Sequence, residues 1–463
     1  MRREDLYRDV DKQILGDAMV SDEAVATLRH LCDTIGNRMA GSTGERRAGD
    51  YIREHFTRIG LDNVQVEAFP FLAWERKRKP VLRLTRPARA SFASIALPYS
   101  PKTPKGGIDV EVVDVGDGLP EDFHRLRRQI RGRAVLTTSE SPGYYHRWVH
   151  RAEKFALAVK HGAKAFLFVN HYDGLLAPTG SARFNKKAEV PALGLAKEDG
   201  ARLLRLAAGQ APQVHIETFD RAFKAQGRNV CARLTGTEKP DEMIVVGGHY
   251  DGHDISQAAE DNGTGVATVI EAARLLAPHR HLLKRTVSFV AFSAEEVGLL
   301  GGQAYVERHK AELDGIRLMV NVDSIGDGRV KGYNFHGWHE AKAPLQALGA
   351  EMHETIGYAS RPGAYSDHFP FLAEGVPNCS LGTVGGASGG RGYGHTAADT
   401  FDKVSRIDLR QAAALLARSL LRFANAPAWA LPHKTPQQIN DMLDRFEIRD
   451  VLRREGTLPS RLK

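Results

Sequence analysis

Five short stretches of this chain carry acids and imidazoles suited to metal-assisted hydrolysis. They are His249-Tyr250-Asp251, Asp261-Asn262-Gly263, Glu295-Glu296, Asp323, and His395 within GYGHTAADT. Two imidazoles and three carboxylates make a good donor set for borderline-soft divalent cations, zinc above all. Each zinc takes about four ligands including water, so five side chains and a shared water serve two ions only if one carboxylate bridges them. The Glu295-Glu296 pair sharpens the hydrolytic reading. Adjacent side chains cannot both point the same way, so one can bind metal while its neighbour stays free as a general base beside an activated water. Asp251 either caps a turn or accepts the second N–H of His249, as carboxylates next to metal-bound imidazoles commonly do.

These stretches need elements that bring them to one place. Met243–Gly248 (MIVVGG), Thr286–Phe292 (TVSFVAF), Leu318–Val322 and Val376–Leu381 read as short apolar strands, and Val266, Val269, Ile270, Ala273 and Leu276 form the apolar stripe of a helix. Strands alternating with helices predict a mostly parallel mixed sheet covered on both faces. In such sheets, sites form beyond the carboxyl ends of the strands. His249, Glu295-Glu296, Asp323 and His395 follow strands and Asp261 opens the helix, so all five stretches fall on one edge. A lone acid or histidine at a strand end is more often a cap or surface group; the ordered set is what carries the inference. Of the 19 histidines most must be unrelated to a site, and His253, Asp254, His353 and His368 are read as neighbours of the site or surface groups. Gly385–Gly394 (GGASGGRGYG) does not turn from a strand into a helix as a dinucleotide fingerprint does, and is read as a rim of the pocket.

Upstream, residues 22–36 and Glu45–Ile59 read as helices, the second stopped by Gly60, and Val64, Val66 and Ala68 alternate as a strand. A Pro/Gly/Ser-rich boundary, LPYSPKTPKGG, lies near residue 95, and 95–217 reads as a compact α/β module of its own. The expected division is 1–94 as the N-terminal part of the catalytic domain, 95–217 as an inserted domain, 218–425 as the catalytic domain, and 426–463 as a C-terminal extension to which no chemistry is assigned.

Net charge is +8 and the pI about 9.3. The basic residues are spread among acids, and the one dense run, Arg76-Lys77-Arg78-Lys79, is read as a solvated turn, so no nucleic-acid partner is expected. No stretch approaches the roughly 20 apolar residues of a membrane span, and no apolar signal core opens the chain. A cytoplasmic location and no membrane partner are expected. Cys32, Cys231 and Cys379 are odd in number and far apart, so they are read as buried free thiols.

The segments GGHYDGHDISQAAEDNGTG, AFSAEEVGLLGGQAYV, VNVDSIGDG, YSDHFPF and YGHTAADTFDKV resemble the co-catalytic zinc aminopeptidase and glutamate carboxypeptidase family, in the layout of its plasma glutamate carboxypeptidase branch. The stretch 95–217 resembles a protease-associated domain. The resemblance implies two zinc ions per chain. His249 and Asp323 would bind one, Glu296 and His395 the other, and Asp261 would bridge them through a loop with a cis peptide to Asn262. Glu295 would be the general base and Asp251 would support His249. Ala258 stands where many relatives have glycine, and Gly394 where several have an oxyanion-stabilising tyrosine, which leaves Tyr393 or Tyr365 as substitutes. Ser366-Asp367-His368 match a family segment with no role fixed.

The function expected is a di-zinc exopeptidase acting on a peptide substrate, first as an aminopeptidase, with Glu295 or Asp323 receiving the substrate ammonium. A carboxypeptidase or dipeptidase is the alternative on the same site, with Arg361 or Arg391 as the carboxylate clamp. A zinc amidohydrolase or cyclase, and a non-catalytic binding protein, stand behind these. A homodimer is left open.

Overall fold

The structure is a computed structural model that describes residues 3–325, 331–384 and 393–463. Its first sheet has eight strands in the order Asp62–Glu75, Arg221–Leu234, Arg285–Phe292, Lys239–His249, Ile316–Val322, Asn378–Thr383, Lys331–Asn334 and Gly357–Ala359. The four central strands, Arg285–Phe292 through Asn378–Thr383, run parallel; the two long strands at one edge pair antiparallel. Along Lys239–His249 the side chains alternate between two cores. Ile244 and Val246 join the cluster under the helices Thr264–Leu276 and Arg406–Asn425, whereas Met243 and Val245 join that of Tyr305, Leu313 and Phe371. Burial on both faces is why this strand reads as an unbroken apolar run rather than an alternating one.

The helix Thr43–Ile59 begins where Ser42 Oγ accepts the Glu45 N–H and ends at Gly60, whose φ of 79° suits a residue without Cβ. The first helix, Arg3–Val20, packs Tyr7, Val10, Ile14 and Ala18 into the main core, and Asp11 receives the guanidinium groups of Arg418 and Arg422. Arg38, fully buried, ties the N-terminal helices to the loop after His249. It donates to the carbonyls of Leu31, Tyr250, Gln257 and Ala258.

A second eight-stranded sheet spans Val81–Arg86 to Gln213–Glu217. The boundary expected at residue 95 falls inside it, because Val81–Arg86 pairs antiparallel with Gln213–Glu217. The composition shift that suggested residue 95 marks a loop within this sheet. One core is shared between the two halves: Phe69, Trp74, Ala294 and Leu300 pack with Leu84, Leu136 and Leu193 of the second sheet. The basic run is not wholly solvated either. Arg76 sends two hydrogen bonds of 2.8 and 2.9 Å to Asp254 and one to the Ala96 carbonyl, with both side chains of the ion pair largely buried. It bridges the second sheet to the loop after His249. All three cysteines are buried and free. No helix among the described residues is long and apolar enough to cross a membrane.

Candidate active site

His249 ends its strand with the imidazole buried at the edge of the first sheet. Its Nε2 lies 3.3 Å from Asp261 Oδ1 and 3.7 Å from Asp323 Oδ1. The other Asp261 oxygen, Oδ2, lies 3.0 Å from His395 Nε2, which is 3.4 Å from Glu296 Oε2. One aspartate therefore presents an oxygen to each of two pairs, His249 with Asp323 and His395 with Glu296. The Asp261–Asn262 peptide is cis. Asp399 holds this turn from below, its two oxygens accepting the N–H groups of Glu260 and Asp261 at 2.7 and 3.1 Å.

Asp251 supports more than its histidine. The Nδ1 of His249 lies 3.2 Å from the Asp251 carbonyl oxygen and 3.6 Å from Oδ1, while the carboxylate accepts the backbone N–H groups of both Glu295 and Glu296 at 3.1 and 3.3 Å. Those bonds fix the two glutamates in opposite directions: Glu296 is buried beside His395, and Glu295 is part-exposed to the cleft beside His249 and Asp323. Ser366 donates to Asp323 Oδ2 at 2.7 Å and accepts from Asn321 at the same distance. Asp367 is fully buried behind them.

Electrostatics follow from crowding. Burial pushes the Glu295 carboxyl well up, and Glu296, Asp323 and Asp367 add to this against the pull of His249. Glu296 is pushed up to about 7, again by burial first, with His395 opposing and Asp261 adding. Asp367 is pushed up to about 8 by burial. Burial works to lower His249, but Glu295 and the neighbouring carboxylates of Asp251, Asp261 and Asp323 carry it well above the ordinary imidazole value. So many buried carboxylates ask for positive charge.

The cleft above these residues, about 1400 Å³, is walled by three parts of the chain. The catalytic strand ends form its floor. The insert supplies Trp148, His150 and Arg151, and the C-terminal helix Ile448–Glu455 supplies Leu452 and Glu455. The tail, to which the sequence assigned no chemistry, thus borders the site. Two insert residues hold the floor itself: Ser181 Oγ donates to the Glu296 carbonyl at 2.7 Å, and the Thr179 N–H donates to the His395 carbonyl at 2.8 Å. Arg151 is largely buried and donates to the carbonyls of Ser181 and Thr179. Burial lowers it to about 10, with Glu296 and Glu455 pulling the other way, so it stays charged. No carboxylate of the described residues lies within ion-pair reach of it.

The remaining expectations fare unevenly. Tyr365 donates its one phenolic proton to Glu455 at 3.0 Å, which takes it out of the oxyanion role. Tyr393 is exposed. Arg361 lines the cleft rim, donates to the His146 carbonyl and lies over the Phe446 ring. Arg391, with Gly385–Gly392 of the expected rim, lies outside the described residues. His353 is exposed. His368 is buried, stacked on His336 with centroids 3.7 Å apart. His253, expected as a neighbour or surface group, is buried within the Glu296–His395 cluster.

Residues 229–420 match the model of Peptidase family M28, and residues 99–203 match that of the PA domain. The segment that holds the cluster has the sequence of an M28 peptidase. The chain is a metallo-exopeptidase with an inserted PA domain. Similar proteins include carboxypeptidase Q of Mus musculus, 28% identical over 386 residues with 81% of each chain covered. Aminopeptidase YwaD of Bacillus subtilis (strain 168) is 26% identical over 412 residues, covering 85% of this chain and 82% of its own. Among solved structures, a Peptidase M28 precursor from Shewanella amazonensis SB2B shares the fold with a TM-score of 0.80 at 23% identity, over 93% of this chain and 100% of that one. BSAP, a zinc aminopeptidase from Bacillus subtilis, does so with 0.68 at 24%, over 89% and 97%.

The M28 residues fit a metal on chemical grounds. His249 Nε2 and Glu296 Oε1 are buried with no hydrogen-bond partner among the described residues. A buried polar atom left unpaired costs about 1–3 kcal/mol. Two clusters, His249–Glu295–Asp323 and His253–Glu296–His395, each gather ligand atoms within 4.8 Å of one another. Nitrogen and carboxylate donors of this kind suit zinc.

Proposed function

We propose that this chain removes residues from the amino end of peptides and holds two zinc ions. His249 and Asp323 would hold one, Glu296 and His395 the other, with Asp261 between them. The observation that carries this reading is Asp261, whose two oxygens face the two pairs at 3.3 and 3.0 Å. When bound, such a pair of ions supplies Lewis acidity to the scissile carbonyl and makes water acidic near neutral pH.

The chain's own residues do the rest. Glu295 reaches the cleft from a backbone pinned by Asp251. Its carboxylate takes the proton of the attacking water and returns it to the leaving amine nitrogen. Glu295 and Asp323, both part-exposed at the cleft floor, accept hydrogen bonds from the substrate ammonium. The C-terminal helix and the insert wall the cleft, which favours short peptides or free ends over chain interiors. The division into a catalytic domain, an inserted domain over roughly 80–217 and a C-terminal extension belongs to this proposal.

Arg151 supports a second reading. A buried guanidinium without a carboxylate partner among the described residues, lining the cleft with Glu296, is a natural clamp for a substrate carboxylate. That geometry suits a carboxypeptidase or dipeptidase.

Glu295→Gln tests the mechanism: it is expected to keep its metal and lower kcat by about 10²–10⁴-fold. Full turnover in this variant rejects Glu295 as base. Hydrolysis of dipeptides with a free or blocked amino end separates the two directions. Cleavage of N-blocked peptides that Arg151→Met abolishes would select the carboxypeptidase reading.

A further inference from the structure

The two-cation reading leaves one imidazole without a role. His253 lies four residues after His249, in the loop that Arg38 ties down. It is 2% exposed, and neither of its ring nitrogens has a hydrogen-bond partner among the described residues. Its Nε2 stands 2.9 Å from Glu296 Oε2, yet the pair is not aligned as a hydrogen bond. The ring meets that of His395 edge-on, with centroids 4.6 Å apart. Nothing in the proton-transfer scheme uses it.

Geometry supplies a use. Donors about 2.0–2.1 Å from a tetrahedral zinc stand roughly 3.3 Å from one another. Here His253 is 2.9 Å from Glu296, His395 is 3.4 Å from Glu296, and His395 is 3.0 Å from Asp261. The His253, Glu296 and His395 atoms form one of the two clusters tight enough for a single ion. Two electron-rich atoms packed close and out of hydrogen-bond alignment are what a shared cation would reconcile.

We propose that His253 is a fourth protein ligand of the cation held by Glu296, His395 and Asp261. This rests on the two-cation reading above. It makes the two positions unequal. The Glu296 side is filled by four protein donors, as in closed structural zinc sites. The His249 side has His249, Asp323 and Asp261, and keeps the open position that catalysis requires. The closed ion is then the tightly held one and the open ion the exchangeable one.

Metal content tests this without reference to activity. The full-length protein is loaded with zinc and dialysed against increasing chelator, and bound zinc per chain is measured at each step. Wild type is expected to lose its ions in two stages. In His253→Phe the more tightly held ion is expected to leave at least about 100-fold more readily, beyond the usual effect of losing an outer-shell partner. His253→Cys, which restores a donor, is expected to recover the tight stage. Thermal unfolding of the metal-free proteins checks that the Phe variant is folded. A folded His253→Phe with wild-type two-stage release overturns the proposal, as does a Cys variant no tighter than Phe. If wild type binds fewer than two ions, the two-cation reading itself fails.

Discussion

Ala258 has φ 49° and ψ 49°, the left-handed region where a Cβ is crowded against the backbone and only glycine is at ease. It sits three residues before Asp261, so the strain is held next to the carboxylate that faces both His249 and His395. The same region is occupied by Ala294 before the glutamate pair, by Ser324 after Asp323, and by His395 itself. Strained residues gathered around a site are commonly part of how its groups are aimed. At Ala258 the side chain does no polar work. Ala258→Gly is expected to raise stability by about 0.5–1 kcal/mol, the relief of the left-handed penalty less the extra freedom glycine gains when unfolded. Denaturant unfolding reads it directly. Much of the site at this scale was legible: His249, Asp261, Glu295, Glu296, Asp323 and His395 are acids and imidazoles at strand or helix ends, where their types and order stand out. Arg38, Arg151 and Asp399 were not, and His253 and Ser366 were noted only as a neighbour or surface group and as a residue without a role. Their meaning lies in partners far along the chain, such as the Glu260 and Asp261 amides for Asp399, and no local pattern announces such pairings.

The elements contribute walls and supports. On the helix Ile448–Glu455, Glu455 is buried against Tyr365, with His150 Nδ1 at 3.5 Å. Burial raises its carboxyl from 4.5 to about 7, while the Tyr365 hydroxyl and the charges of Arg151, Arg183 and Arg147 work against the rise. A folded-state value above the unfolded one means that the protonated form is favoured by folding. That stability is complete below the unfolded value and is lost as pH rises through the folded one. Glu455→Gln stays neutral throughout. Its stability relative to wild type is therefore expected to increase between about pH 4.5 and about pH 7, by roughly 3 kcal/mol in all. Urea unfolding at both ends of that window checks the sign. A difference that does not change with pH would show that Glu455 titrates normally. The alternation of apolar strands and helices made the catalytic sheet legible, because buried parallel strands leave continuous apolar runs. The helix Arg3–Val20 was less so. Its buried residues, Tyr7, Val10, Ile14 and Ala18, are few and separated by charges, one of which, Asp11, is itself paired inside. The edge of the second sheet was misread for a related reason: Val81–Arg86 pairs with a strand far ahead in the sequence.

Across the whole molecule, the insert and the tail are joined by a buried ionic knot. Glu153 is fully buried, bound at 2.7 and 2.9 Å by both terminal nitrogens of Arg147 and also by Arg454. Arg147 extends to Glu447 at 3.0 Å. Removing one member of such a group leaves uncompensated charge inside. Glu153→Ala is expected to destabilise by about 3–5 kcal/mol, visible as a lower unfolding midpoint, with the tail becoming the first segment cut in limited proteolysis. An unchanged midpoint would mean the knot contributes nothing net. This architecture also orders events during synthesis. The Glu296 and His395 carbonyls are held by Ser181 and Thr179 of the insert, His395 follows every other acid or imidazole of the cluster in the chain, and the cleft wall at Glu455 comes later still. A ribosome-bound fragment that ends before His395 cannot assemble the donor set. Whatever activity rests on the cluster therefore starts only after the insert has been made and His395 has been added.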